Sequence, residues 1–232
     1  MRRKQGRIAT PPVGDTGGLR TARIARRGLL AAALAGTALA GVPWRARAQN
    51  TGRIATPRQT EGPFYPDRLP ADDDNDLVSV KGQSGVARGD ILLLAGSVSD
   101  LAGRPLAGAR VEIWQCDAGG RYHHSRESSS APPDPNFQGW GRFVTAADGE
   151  YRFRTIRPVP YPGRTPHIHF KVSGKAIPVL VTQMYVDGEP GNARDGVFAS
   201  LDPSERAAVT VRLDQAPDGR ALTTRFAIVL RT

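Results

Sequence analysis

The heptapeptide HIHFKVS, residues 167–173, decides the fold reading. Successive side chains on a β-strand point to opposite faces. His167, His169 and Lys171 therefore share one face, and Ile168, Phe170 and Val172 share the other. The apolar trio suits a core between two sheets, and both imidazoles are left on the opposite face.

Outward from this strand the pattern repeats. The runs DILLLAGSVSD (90–100), ARVEIWQC (109–116), GEYRFRTI (149–156), IPVLVTQMYV (177–186), AAVTVRL (207–213) and RFAIVLR (225–231) are rich in Val, Ile, Leu, Tyr and Phe. Turn clusters such as AGRP, ADG, VSGK and DGEPG separate them. Short apolar runs punctuated in this way predict an all-β protein, a β-sandwich over residues 90–232. One short helix is expected near DPSERAA, with Asp202 as N-cap and Pro203 at the first helical position. Residues 49–89 are rich in Pro, Gly, Asp and Gln, have no sustained apolar period, and read as an irregular N-terminal arm carrying TEGPFYP (60–66).

The 232-residue chain has a net charge of +10, which would ordinarily direct attention to nucleic acids or anionic membranes. The placement of the charge removes that reading. Residues 1–48 hold ten of the 32 Lys/Arg and one of the 22 Asp/Glu, so the rest of the chain is nearly neutral. No nucleic-acid partner is expected. The same leader has Arg26-Arg27 ahead of the apolar run GLLAAALAGTALAGVP and the small-residue site ARA at 46–48. This is the layout of an export signal cleaved before Gln49, of twin-arginine type. The apolar run is shorter than the roughly 18–20 residues that span a bilayer. The expected location of the mature protein is periplasmic or extracellular. Cys116 is the only cysteine, so no intrachain disulfide can form, and a buried small hydrophobe is its expected role.

Two histidines at i and i+2 on one strand face can share one metal ion, or can be placed there for packing. With Cys116 as the only sulfur ligand, a sulfur-rich zinc or iron–sulfur site is excluded. A carboxylate as third ligand would suggest zinc hydrolysis or a ferrous site. The residues that flank the pair are tyrosines: Tyr161 in VPYPG, six residues before His167, and Tyr122 in GGRYHHS. A phenol ionises near pH 10, so a phenolate ligand calls for a hard, highly charged ion such as ferric iron. A copper or zinc site on the two histidines is the competing metal reading.

The segments GRPLAGARVEIWQCDAGGRYHHS, DPNFQGWGRFVTAADGEYRFRTIRPVPYPGRTPHIHF, LVTQMYVDGEP and RFAIVLR together resemble the intradiol ring-cleavage dioxygenases, nearest the β-chain type of the protocatechuate 3,4-dioxygenases. The resemblance runs from about Gln59 to Arg231. It implies a β-sandwich that holds one non-haem Fe(III) per chain through Tyr122, Tyr161, His167 and His169. It further implies that Arg164 polarises a bound catechol-type substrate, that Gln183 lines the site, and that Tyr161 leaves the metal as substrate arrives and takes up a substrate proton. The implied reaction consumes O2, opens the ring between its two hydroxylated carbons, and yields a cis,cis-muconate-type diacid. Self-association and pairing with a related chain are both implied modes of assembly.

Two departures from the family pattern stand out. Members often continue the P-Y-P turn with a tryptophan and a longer insertion, whereas Gly163 and only a few residues intervene here, so a different pocket wall is expected. The helical N-terminal segment of the catechol 1,2-dioxygenase branch has no counterpart in residues 49–89. His123 and His124 read as solvated loop histidines. The alternative to an enzyme is an exported β-sandwich module that binds carbohydrate or protein, suggested by AGSVSDLAGRPLAGARVEIW with TAADGEYRF.

Overall fold

The computed structural model describes residues 52–232; the leader read as an export signal, residues 1–48, lies outside them. In chain order the strands are β1 (Ile91–Asp100), β2 (Arg110–Trp114), β3 (Trp140–Val144), β4 (Glu150–Ile156), β5 (His167–Gly174), β6 (Ile177–Val186), β7 (Thr210–Val211), β8 (Asp214–Gln215) and β9 (Leu222–Leu230). A 3-10 turn (Asn192–Arg194) and two short α-helices, α1 (Gly196–Ala199) and α2 (Pro203–Val209), lie between β6 and β7. One sheet has the order β4-β1-β9-β8 and the other β3-β2-β5-β6-β7.

The all-β sandwich expected from the sequence is the observed architecture. Ile168, Phe170 and Val172 of β5 enter the core, where they join Val111 and Ile113 of β2, Leu92 and Leu94 of β1, and Phe226 and Ile228 of β9. Each such side chain contributes about 1.5–3 kcal/mol on full burial. Close packing between neighbouring strands of the four-stranded sheet is visible at Gly96 in β1, which pairs with Tyr151 of β4 and Phe226 of β9. A Cβ there would sit 2.0 Å from the Phe226 carbonyl oxygen and 2.4 Å from the Tyr151 ring. The missing side chain makes room for the buried Tyr151 hydroxyl, which donates to the Phe226 carbonyl at 2.6 Å.

Two elements differ from the sequence reading. AAVTVRL was expected as a strand, but helix α2 runs through Val209 and only Thr210–Val211 pair in a sheet. The reason is a capping box: Asp202 accepts from the Glu205 N–H at 2.8 Å while the Glu205 carboxylate accepts from the Asp202 N–H at 3.0 Å. This cap, with Pro203 behind it as expected, carries the helix to the buried Val209. Strand β3 has no counterpart among the expected runs, because WGRFV is short and breaks the alternation at Gly141.

The described residues of the segment read as an irregular arm, 52–89, contain no strand, yet they are bound along the sandwich. Leu77 and Val78 are fully buried in the core. Further upstream the Thr56 N–H donates to the Val229 carbonyl, and the Gln59 N–H donates to the Val181 carbonyl. Residues 59–65 thereby cross the outer face of the five-stranded sheet. There Lys171 reaches Glu61 at 2.9 Å, and the Tyr65 hydroxyl donates to Glu112 at 2.7 Å.

Candidate metal centre

The outer face of the five-stranded sheet carries the site. Strand register places His169 between Trp114 of β2 and Gln183 of β6, and places His167 opposite Tyr185. Two loops bring the remaining groups over this face. The first follows β2, where the Asp117 carboxylate accepts from the N–H groups of Gly119 (2.8 Å) and Arg121 (3.1 Å) and turns the chain back at Tyr122. The second is the Tyr-Pro-Gly-Arg turn 161–164, closed by donation from the Arg164 N–H to the Tyr161 carbonyl at 2.9 Å. Proline at the second position and Gly163 at φ +79° at the third suit a type II turn, which sets Tyr161 and Arg164 side by side.

All six residues singled out in the sequence converge here. The His167 and His169 rings lie 4.7 Å apart, Tyr161 lies 5.5 Å from His167, and Tyr122 lies 5.4 Å from Tyr161 and 6.2 Å from His169, centroid to centroid. Tyr122, His167 and His169 are buried, at 3%, 1% and 1% exposure, and Tyr161 is half-buried. Arg164 donates through Nε to Asp195 Oδ2 (2.8 Å), through Nη2 to Gln183 Oε1 (2.5 Å) and through Nη1 to Tyr161 Oη (3.3 Å). Gln183 is fully enclosed: its Oε1 also accepts from the Tyr185 hydroxyl at 3.0 Å, and its Nε2 donates to the Thr60 carbonyl at 3.1 Å.

Three observations suit this constellation to a cation. The two imidazole Nε2 atoms face each other at 3.1 Å. The His167 Nδ1 lies 2.7 Å from the Thr165 carbonyl, so that nitrogen carries the proton and Nε2 presents a lone pair. Nitrogens at this spacing match adjacent ligands roughly 2.1 Å from a common ion. Second, the Tyr122 hydroxyl is buried and, with the Tyr161 hydroxyl as a polar neighbour, makes no hydrogen bond of ordinary geometry, which is costly for a polar group in a protein interior. Third, no cluster of three or more His, Cys, Asp or Glu suited to a metal occurs among the described residues. The protein oxygens that do lie beside the histidine pair belong to the Tyr122 and Tyr161 phenols.

The electrostatics point the same way. Burial, reinforced by the Arg164 guanidinium, pushes the His167 imidazole down to about 4. Burial, the neighbouring His167 and Arg164 hold His169 well below the ordinary histidine range. Both rings are thus neutral, the form that binds metal. Burial pushes the Tyr122 phenol well above its usual value, and raises Tyr161 as well despite the opposing pull of Arg164. Two phenols held protonated by desolvation would ionise only beside a strong positive charge.

The family sequence model described as Dioxygenase matches residues 60–232. This chain belongs to the intradiol ring-cleavage dioxygenases. It is 41% identical over 168 residues to the protocatechuate 3,4-dioxygenase beta chain of Burkholderia cepacia, covering 68% of this chain and 72% of that protein. It is 34% identical over 200 residues to the hydroxyquinol 1,2-dioxygenase of Corynebacterium glutamicum, covering 73% of this chain but 61% of that relative's length. Among solved structures, the dioxygenase domain of a dioxygenase carbohydrate-binding protein fusion from Streptomyces sp. SirexAA-E superposes with a TM-score of 0.59 at 34% identity, over 77% of this chain and 99% of that one. An intradiol ring-cleavage dioxygenase from Tetranychus urticae, at 22% identity and a TM-score of 0.62 over 77% of this chain and 95% of that one, shares the fold. Membership in this family agrees with the enzyme reading, and nothing observed favours the binding-module alternative.

Several residues of this dioxygenase's site were not apparent from the sequence. Trp114 stacks flat on His169, with centroids 4.7 Å apart and planes 8° apart. Phe64 of the arm stacks on Tyr122 at 4.6 Å, and Asp195 anchors Arg164. The TEGPFYP motif was the available signal for Phe64. Of the loop histidines, His123 is exposed as expected, whereas His124 is half-buried against Phe64, its Nδ1 accepting from the Arg126 N–H at 3.0 Å. Cys116 is buried, and its thiol is pushed up to about 12, chiefly by burial, which suits the packing role expected of it.

Proposed function

We propose that Tyr122, Tyr161, His167 and His169 hold one non-haem Fe(III), and that this dioxygenase uses it to cleave a catechol-type ring with O2 between the two hydroxylated carbons. The observation that carries the reading is the pair of facing Nε2 atoms, 3.1 Å apart, beside a buried Tyr122 hydroxyl that makes no hydrogen bond of ordinary geometry. Bound there, ferric iron supplies a Lewis acid that makes both substrate hydroxyls acidic and draws charge from the ring so that dioxygen can react with it.

The chain's own groups do the rest. Tyr122 is stacked on Phe64 within a buried cluster that also holds Trp114 and Trp140, and serves as a fixed donor. Tyr161 is more open, and as a phenolate its Oη accepts a proton from the incoming substrate hydroxyl. Pro160 and Pro162 restrict the backbone on both sides, so the ring stays close after that transfer. The Arg164 Nη1, 3.3 Å from the Tyr161 Oη, is placed to stabilise negative charge that develops on the substrate. Phe64, Tyr65 and Trp114 wall the site and exclude water, which strengthens that interaction.

Metal analysis of the purified protein and a panel of substituted catechols, with the ring-opened products identified, test the reading. About one iron per chain and cleavage between the hydroxylated carbons are expected; zinc or copper in place of iron would contradict it. Whether the enzyme self-associates or pairs with a related chain, as the name of the Burkholderia relative suggests, is read from the mass of the active species. Export by the twin-arginine route, with maturation before Gln49, is part of the same proposal and is checked by N-terminal sequencing.

A further inference from the structure

We infer that Asp195 is a positioning residue that aims Arg164 at the reacting site; the inference rests on the role of Arg164 proposed above. Asp195 immediately precedes α1, and its side chain is fully buried. Four donors converge on its carboxylate. Oδ1 accepts from the N–H groups of Val197 (3.0 Å) and Phe198 (2.9 Å), and Oδ2 accepts from the Thr165 N–H (3.0 Å) and from Arg164 Nε (2.8 Å). Three backbone amides, from two segments of chain, therefore fix where the negative charge sits before the guanidinium meets it.

A guanidinium is a rigid plane, so two anchors determine its orientation. Asp195 holds Nε, and Gln183 Oε1 holds Nη2. Gln183 is itself constrained by Tyr185 and Thr60. The remaining nitrogen, Nη1, is left facing Tyr161 Oη. Without Asp195, one anchor remains and the plane can swing about the Nη2–Gln183 bond. Asp195 also supplies the charge that balances a cation whose side chain is only 15% exposed. It acts through Arg164, 31 residues away in sequence.

A double-mutant cycle and crystal structures test this together. Asn is a good N-cap, so D195N keeps an acceptor for Val197 and Phe198 while withdrawing the charge from Arg164. In the iron-loaded enzyme, D195N is expected to lower kcat for catechol roughly tenfold to a hundredfold, with KM changed far less. In an R164A background the same substitution is expected to change kcat less than about twofold, since the group it positions is gone. In the crystal, the D195N guanidinium is expected to move by about 1 Å or more from its place beside Tyr161 Oη. Equal fold-losses in both backgrounds, or a guanidinium that stays in place, would overturn the inference and leave Asp195 as a helix cap only. Should D195N not fold, D195S retains a cap oxygen and carries the same cycle. If the wild-type enzyme turns over no catechol, the functional proposal fails, and the crystal comparison still decides the role of Asp195.

Discussion

Tyr122→Phe should change stability in opposite directions in the metal-free and iron-loaded protein. The Tyr122 hydroxyl is buried without a hydrogen bond of ordinary geometry, and its ring is packed between Phe64 and the walls of a small aromatic cluster. In metal-free protein the phenol is held protonated chiefly by burial, and its approach to the Tyr161 hydroxyl falls short of an ordinary hydrogen bond, so the hydroxyl contributes mainly an unmet desolvation cost. A buried, unsatisfied hydroxyl costs about 1–3 kcal/mol, and phenylalanine keeps the shape of the ring while removing it. For a domain of this size each kcal/mol moves Tm by about 2–4 °C. The metal-free variant should therefore melt a few degrees above wild type. With ferric iron the sign reverses, because the variant lacks an anionic donor and gains less from the metal than wild type does. Differential scanning calorimetry of both proteins, stripped with chelator and then reloaded, reads both effects. A metal-free Tyr122→Phe that melts below wild type would show that the hydroxyl has a partner in the protein, and the argument that it awaits a cation would fail.

Three further outcomes are expected. Tyr161→Phe should retain iron but slow the binding of catechol, seen as a delayed absorbance change on rapid mixing; binding at the wild-type rate would remove the proton-accepting role of Tyr161. Phe170→Ala, deep in the core beside Phe226 and Tyr151, should cost about 3–5 kcal/mol in urea unfolding; a loss below about 1 kcal/mol would mean the site collapses around the vacancy. Burial alone would raise the Asp195 carboxyl, but the N–H groups of Phe198 and Thr165 and the Arg164 guanidinium outweigh it and hold the carboxyl below its ordinary value. Its stabilisation is thus present above the unfolded carboxylate value of about 4 and is lost as pH falls through the lower folded value. The difference in Tm between wild type and D195N should accordingly shrink between neutral pH and about pH 3, and a difference independent of pH would contradict this linkage.

How much of this was legible in sequence depends on the range of the interactions. The two faces of β5 could be read directly, since alternation is a local property of HIHFKVS and the core trio emerged as expected. Tyr122 and Tyr161 could be named because GGRY and PYPG are short motifs with a family resemblance. The convergence of these tyrosines with the histidines depends on a turn at Asp117 and on another at Gly163. The partners Trp114 and Asp195 could not be read. Trp114 sits in an alternating strand like any core residue, and only its register against His169 shows it on the site face. Asp195 looks like an ordinary loop acid until the chain folds it against Arg164. The arm gave no pattern because irregular backbone bonds, such as Leu77 N–H to the Arg154 carbonyl, hold it in place of a ladder. AAVTVRL misled because its β-branched residues fit a strand, while the cap that overrides them lies upstream at Asp202.

The most direct test is to supply the iron-loaded enzyme with catechol under isotopically labelled dioxygen and to weigh the product. A tyrosine- and histidine-held ferric centre with Arg164 beside it should open the ring between the hydroxylated carbons and place both labelled oxygen atoms in one diacid. Cleavage outside that bond, a single labelled oxygen, or no product from protein carrying a full complement of iron would contradict the account.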